Sequence, residues 1–152
     1  MAGYSGTPLA QKLGIKDGHR VLLLGAPADV VQRIELPPGA TAHGRLAGKD
    51  PFDVIVVFVV ARAELARHIA AIRPRMTPAA GLWIAWPKRA SGVATDMTED
   101  VVREVALPTG LVDNKVCAID DTWSGLRLVI RRELRAQPPR TPRRASARST
   151  GR

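Results

Sequence analysis

The sequence predicts an α/β fold: a mostly parallel sheet of about six strands, with helices on both faces and an antiparallel hairpin at its C-terminal end. Three observations predict it. Short apolar runs alternate with helix-length segments, the pattern of strands joined by crossover helices. The strongest run, Asp53 to Val60 (DVIVVFVV), is apolar without alternation, so both of its faces must be covered, as in a central parallel strand. The last two runs are linked by too few residues for a crossover, so they must pair antiparallel.

The elements follow in order. Thr7 to Gly14 (TPLAQKLG) is a short helix signal, with Thr7 as cap, Pro8 at the first helical position and Gly14 past the end. Asp17-Gly18 makes a turn, and Arg20 to Leu24 (RVLLL) is a buried strand between glycines. Asp29 to Leu36 forms a short helix, stopped by Pro37-Pro38-Gly39. Ala40 to Leu46 is a weak second strand, and Gly48 to Pro51 a turn.

After the Asp53 strand, Arg62 to Arg73 places Leu65, Ile69 and Ile72 at helical spacing. Pro74 and Pro78 end that helix. Gly81 to Trp86 is the next strand, closed by Pro87. Asp96 to Leu107 is a helix, with Thr95, Asp96 or Thr98 as cap and Glu99 and Asp100 in its positive first turn. Pro108-Thr109-Gly110 breaks it. Lys115 to Ile119 and Gly125 to Arg132 are the closing strands, around a turn from Asp120 to Ser124.

Residues 136–152 (AQPPRTPRRASARSTGR) contain no large apolar side chain. They cannot bury enough surface to offset the entropy of ordering, so the sequence predicts a domain over 1–135 and a disordered Arg/Pro/Ser-rich tail over 136–152. The net charge of +9 is uneven: the tail holds five arginines and no acid, leaving 18 basic and 14 acidic side chains in the body. The tail therefore carries the case for weak, salt-sensitive attraction to polyanions, nucleic acid included. Arg143-Arg144-Ala145-Ser146 also has the pattern of a basophilic kinase site, and Thr141 precedes Pro142.

The longest apolar run, Val54 to Ala61, is eight residues, far short of the roughly 20 that span a membrane. The start, Met1 to Ser5, lacks the charged and apolar regions of a signal peptide. One cysteine, Cys117, allows no disulfide within the chain. Together these predict a cytoplasmic protein with no membrane partner.

With the strands laid out, the chain resembles the S-adenosylmethionine-dependent methyltransferase variant of the Rossmann fold. Val21 to Gly25 (VLLLG) resembles that fold's first strand, Phe52 to Phe58 its fourth, Gly81 to Pro87 its fifth, and the closing hairpin its last two. The departures concern the ligand. The turn after the first strand, Gly25-Ala26-Pro27-Ala28-Asp29, keeps one glycine where close backbone approach calls for several. Pro27 removes a backbone N–H from the helix start. The second strand ends His43-Gly44-Arg45-Leu46 where the resemblance implies a ribose-binding acid, and Asp50 is the nearby carboxylate. The 28 positions from Gly25 to Asp53 leave out a helix and a strand.

Residues 3–135 are also similar to a family of small bacterial proteins catalogued as a domain of unknown function, through Gly6 to Gly14, Val21 to Pro27, Trp86 to Gly92, Leu107 to Lys115 and Trp123 to Leu126. That resemblance implies no activity.

Neither Gly-x-Gly-x-x-Gly, a P-loop, Cys-x-x-Cys nor His-Glu-x-x-His occurs, and His19, His43 and His68 are scattered, so no metal site is predicted. Ligands of open α/β sheets bind at the carboxyl ends of the strands. That edge should gather Gly25 and Pro27 with Lys88, Arg89, Ser91 and Gly92, and with Asp120 and Trp123 of the hairpin turn. The loop from Lys88 could grip an anionic group, or Asp120 and Asp121 could neutralise its cations. Cys117 reads as a buried, inert thiol. Trp83 and Trp86, three apart in one strand, point to opposite faces as core residues. No general base is nominated.

The main functional expectation is a non-catalytic Rossmann-like domain that binds a partner protein or small ligand and holds no cofactor. The alternative is a methyltransferase-like protein binding S-adenosylmethionine or another small anionic ligand at the strand edge. A third reading is nucleic-acid association through the tail.

Overall fold

The computed structural model describes residues 7–135. The tail expected over 136–152 lies outside the described residues. The sheet has six strands: β1 (Arg20–Leu24), β2 (Thr41–His43), β3 (Phe52–Phe58), β4 (Met76–Pro87), β5 (Leu111–Ala118) and β6 (Trp123–Ile130). Their order across the sheet is β2-β1-β3-β4-β6-β5. β1 to β4 are parallel, with Val21 beside Val54 and Ile55 beside Leu82. β6 runs antiparallel to both β4 and β5, placing Trp83 beside Arg127 and Leu111 beside Ile130. The mostly parallel sheet with a closing hairpin is the predicted architecture.

Among the described residues the α-helices are α1 (Leu9–Leu13), α2 (Ala28–Arg33), α3 (Arg62–Ile72), α4 (Glu99–Ala106) and α5 (Arg132–Arg135). β3 divides the core as its unbroken apolar run requires. Ile55 and Val57 face one cluster with Leu65, Ile69 and Ile72 of α3 and Val102 of α4. Val54, Val56 and Phe58 face the other, with Leu9 and Leu13 of α1 and Val30 of α2. Trp83 and Trp86 fall on these opposite faces, both buried, as their spacing dictates.

Several boundaries differ from the expected ones. β4 starts at Met76, ahead of Gly81, because Met76 pairs with Phe52 before a register shift. Pro78 is tolerated at that irregularity, where a ladder hydrogen bond is not demanded. β5 starts at Leu111 and not Lys115, because a 3-10 turn at Leu107–Thr109 closes on left-handed Gly110 and delivers buried Leu111 to the sheet. Pro8, and not Thr7, is the residue before α1, with no side-chain cap there. Thr98 caps α4, its side chain accepting from the Val101 N–H. β2 shrinks to three residues at the sheet margin. The chain then runs from β2 to β3 without a helix. No helix among the described residues is long and apolar enough to cross a membrane.

Candidate functional site

In the strand order, β1 is flanked by β2 on one side and β3 on the other. The chain leaves β1 for β2 on one side and then passes from β2 to β3 on the other, the kind of reversal beside which open α/β sheets bind ligands at the carboxyl ends of their strands. Gly25 sits at that point with φ +72°, and a Cβ on it would lie 3.2 Å from the Phe58 carbonyl oxygen. A side chain there would be strained by its backbone and crowded by β3. Gly25 itself is exposed, so its backbone is open to a ligand. Pro27 precedes α2 in an extended conformation and starts the helix.

The hairpin turn closes the same edge. Asp120 is buried, and its Oδ1 accepts from the N–H groups of Thr122 and Trp123, both at 2.8 Å. Its Oδ2 lies 3.8 Å from Arg33 Nη1, while Arg33 Nη2 donates to the Ile119 carbonyl at 3.0 Å. The Trp123 ring stands edge-on to Phe58, centroids 5.0 Å apart. Gly25, Phe58, Trp123, Asp120 and Arg33 thus form a continuous run along the edge, on the face of α1 and α2.

Lys88, Arg89, Ser91 and Gly92 are partly separated from that run. The Lys88 N–H donates to the Thr122 carbonyl at 2.7 Å, tying the loop to the hairpin turn. The Ser91 hydroxyl donates to the Lys88 carbonyl and accepts from the Val93 N–H, so it holds the loop's own shape. Arg89 and Gly92 line a cavity of ≈ 470 Å³, with Trp86, Thr95, Met97 and Glu99 on the α3 and α4 face. Among the described residues no ion pair joins Lys88 or Arg89 to Asp120 or Asp121: Asp120 faces Arg33 instead, because its own turn folds it back onto the hairpin. Cys117 is half-buried and not fully enclosed. Burial raises its thiol pKa, and Lys12 and Lys115 pull the other way.

The residues that sequence reasoning missed are Phe58 and Arg33. Phe58 hides inside an apolar strand run, and nothing local in α2 shows that Arg33 reaches the hairpin. Among the described residues, no group of three or more His, Cys, Asp or Glu side chains is placed to hold a metal ion.

No protein-family model matches the chain, and a search of curated proteins returns no match. Solved structures do resemble it. A SAM-dependent methyltransferase from Aquifex aeolicus aligns with TM-score 0.60 and 13% identity over 80% of this chain and 88% of that one. Aeropyrum pernix fibrillarin in complex with natively bound S-adenosyl-L-methionine aligns with TM-score 0.56 and 17% identity, covering 80% and 73%. The glycopeptide N-methyltransferase MtfA complexed with (S)-adenosyl-L-methionine aligns with TM-score 0.52 and 13% identity, covering 80% and 90%. At these identities the likeness shows the fold: a Rossmann-like, methyltransferase-like sheet. The expectation that such a domain holds no cofactor is corrected: two structures of this fold carry bound S-adenosyl-L-methionine.

Proposed function

We propose that the chain is a methyltransferase-like protein that binds S-adenosylmethionine, or else a small anionic ligand, at the carboxyl edge around Gly25. The observation that carries this reading is the left-handed Gly25 turn, packed against the Phe58 carbonyl at the point where the strand order reverses. A Cβ there would crowd the Phe58 carbonyl of β3, and the exposed backbone of the turn, with no side chain over it, suits close approach of a ligand. The TM-scores of 0.60 and 0.56 to methyltransferase-fold structures support it.

The backbone of Gly25 and Ala26 would hold the ligand, with Lys88, on the loop tied to the hairpin turn, offering charge to its carboxylate. The second strand presents no acid for the ribose: His43 contacts Thr41 and Arg20 there. Asp29, exposed in the first turn of α2, is the carboxylate that follows the Gly25 turn in the chain. When bound, S-adenosylmethionine supplies an electrophilic methyl group on a sulfonium for transfer to a nucleophile. The resemblance of residues 3–135 to a domain-of-unknown-function family of small bacterial proteins, and a cytoplasmic setting, belong to the same reading.

Isothermal titration of the full chain with S-adenosylmethionine tests it. Binding near the micromolar range, lost in Gly25→Val while circular dichroism shows the fold kept, is the expected result. Absence of binding up to about millimolar ligand, an affinity of roughly 4 kcal/mol, would overturn it.

A further inference from the structure

We propose that the chain carries a second, separate binding site: a cationic cavity at the opposite edge of the sheet that takes a compact polyanion of the pyrophosphate class. The cavity has a volume of ≈ 380 Å³, within the range of small-molecule sites. It lies between the C-terminal end of α1 and the sheet, where β3 and β4 begin. Lys12, Lys16, Lys115 and Arg127 line it, with His19 and the carboxylate of Asp53.

The charges are arranged toward the cavity by the fold. Asn114 is the extra residue of a bulge in β5: Asp113 pairs with Leu128, but Lys115 pairs with Arg127. Without the bulge, Lys115 would share a face with Asp113, which is turned to α4 and bonded to Arg103. The bulge re-aims Lys115 to the α1 face beside Arg127, a recurrent use of this irregularity. Arg127 in turn lies over Gly81, whose missing side chain makes the room: a Cβ there would come within 2.6 Å of Nε. Among the described residues, no carboxylate lies within ion-pair distance of Lys12, Lys16, Lys115 or Arg127. Arg127 has only the Asn114 amide oxygen, at 3.4 Å. Asp53, the one carboxylate in the lining, forms no ion pair with them, its Oδ2 being held by the Arg20 N–H at 2.8 Å, so the positive charges outnumber it.

A half-buried guanidinium without a carboxylate is costly unless an anion completes it. Desolvation accordingly lowers the Arg127 pKa. The planar fork of Arg suits two phosphate oxygens at once, and the lysines add point charge around it. Lys16, Lys115 and Arg127 line a concavity and do not form a stripe along the surface, which favours a compact anion over a nucleic-acid backbone; Lys12 Nζ donates to the Ala118 carbonyl at 2.8 Å and adds charge from the cavity's flank.

The test is titration of the full chain with sodium pyrophosphate at fixed ionic strength, with sulfate and a single-stranded oligonucleotide as comparison ligands. Pyrophosphate should bind in preference to sulfate, and Arg127→Gln and Lys115→Gln should each weaken it by about tenfold, the loss of one charge-assisted contact. Lys115 is exposed, so its variant folds and keeps the test decisive. Binding that neither substitution changes, an oligonucleotide bound through these residues more tightly than pyrophosphate, or no pyrophosphate binding at all would overturn the proposal.

Discussion

The indole Nε1–H of Trp83 donates to the Leu13 carbonyl at 3.0 Å, joining the middle of the sheet to the last residue of α1. Trp83 is wholly buried, so this bond is made out of reach of water. It fixes a five-residue helix that is too short to be stable by itself, and α1 forms one wall of the cationic cavity.

Trp83→Phe should therefore cost about 1–3 kcal/mol, the range for leaving a buried acceptor without its donor. Urea unfolding measures it. Hydrogen exchange should show the amides of α1 loosened more than those of β3. Equal exchange across the two would sink the idea that this bond pins the helix.

Asp120 holds the hairpin turn through two backbone N–H groups. Asp120→Ala should destabilise by roughly 1–3 kcal/mol, since both donors lose their acceptor. Asp120→Asn keeps an acceptor oxygen and should recover much of that. If Ala and Asn variants unfold at the same urea concentration, the carboxyl oxygen is not what shapes the turn.

The Phe58–Trp123 pair meets at 5.0 Å and 83°, the edge-to-face geometry that stabilises beyond simple burial. Trp123→Leu keeps an apolar side chain but loses the ring pair, and should cost on the order of 1 kcal/mol. A double-mutant cycle with Phe58→Leu is the measurement. A coupling energy near zero would show that the two rings merely share a neighbourhood.

Burial holds the Cys117 thiol above its ordinary pKa. The folded chain thus keeps this proton to higher pH than the unfolded chain does. The resulting stability is complete below the ordinary thiol value of about 8.5 and is lost as pH rises through the raised folded value. Alkylation by iodoacetamide at pH 8 should run slower than for a short peptide thiol. Cys117→Ser should show a smaller fall in urea midpoint between pH 8 and 10 than the unaltered chain, and identical falls would refute the assignment.

The sheet was legible because its strands are apolar runs whose burial is dictated by composition. Asp53 to Val60 could only be central, and the short link before Trp123 could only make a hairpin. Of the candidate edge, Gly25, Asp120 and Trp123 were readable from turn chemistry at strand ends. Their partners were not: Phe58 reads as one more core residue, and Arg33 reaches Ile119 and Asp120 from a helix distant in sequence. Lys115 and Arg127 were hidden for a different reason. Asp113-Asn114-Lys115 has the composition of a loop, and a bulge leaves no local mark that distinguishes it from one.

What the sequence by itself determined is the order and type of the elements, because periodicity and breakers act over a few residues. The glycine turn after β1 and the closing hairpin belong to that part. What only the tertiary structure decided is which side chains meet. Side-chain direction in a strand reverses with each residue, so a single extra residue at Asn114 moves Lys115 from the face of α4 to that of α1. The room for Arg127 above Gly81 exists only once β4 and β6 are paired.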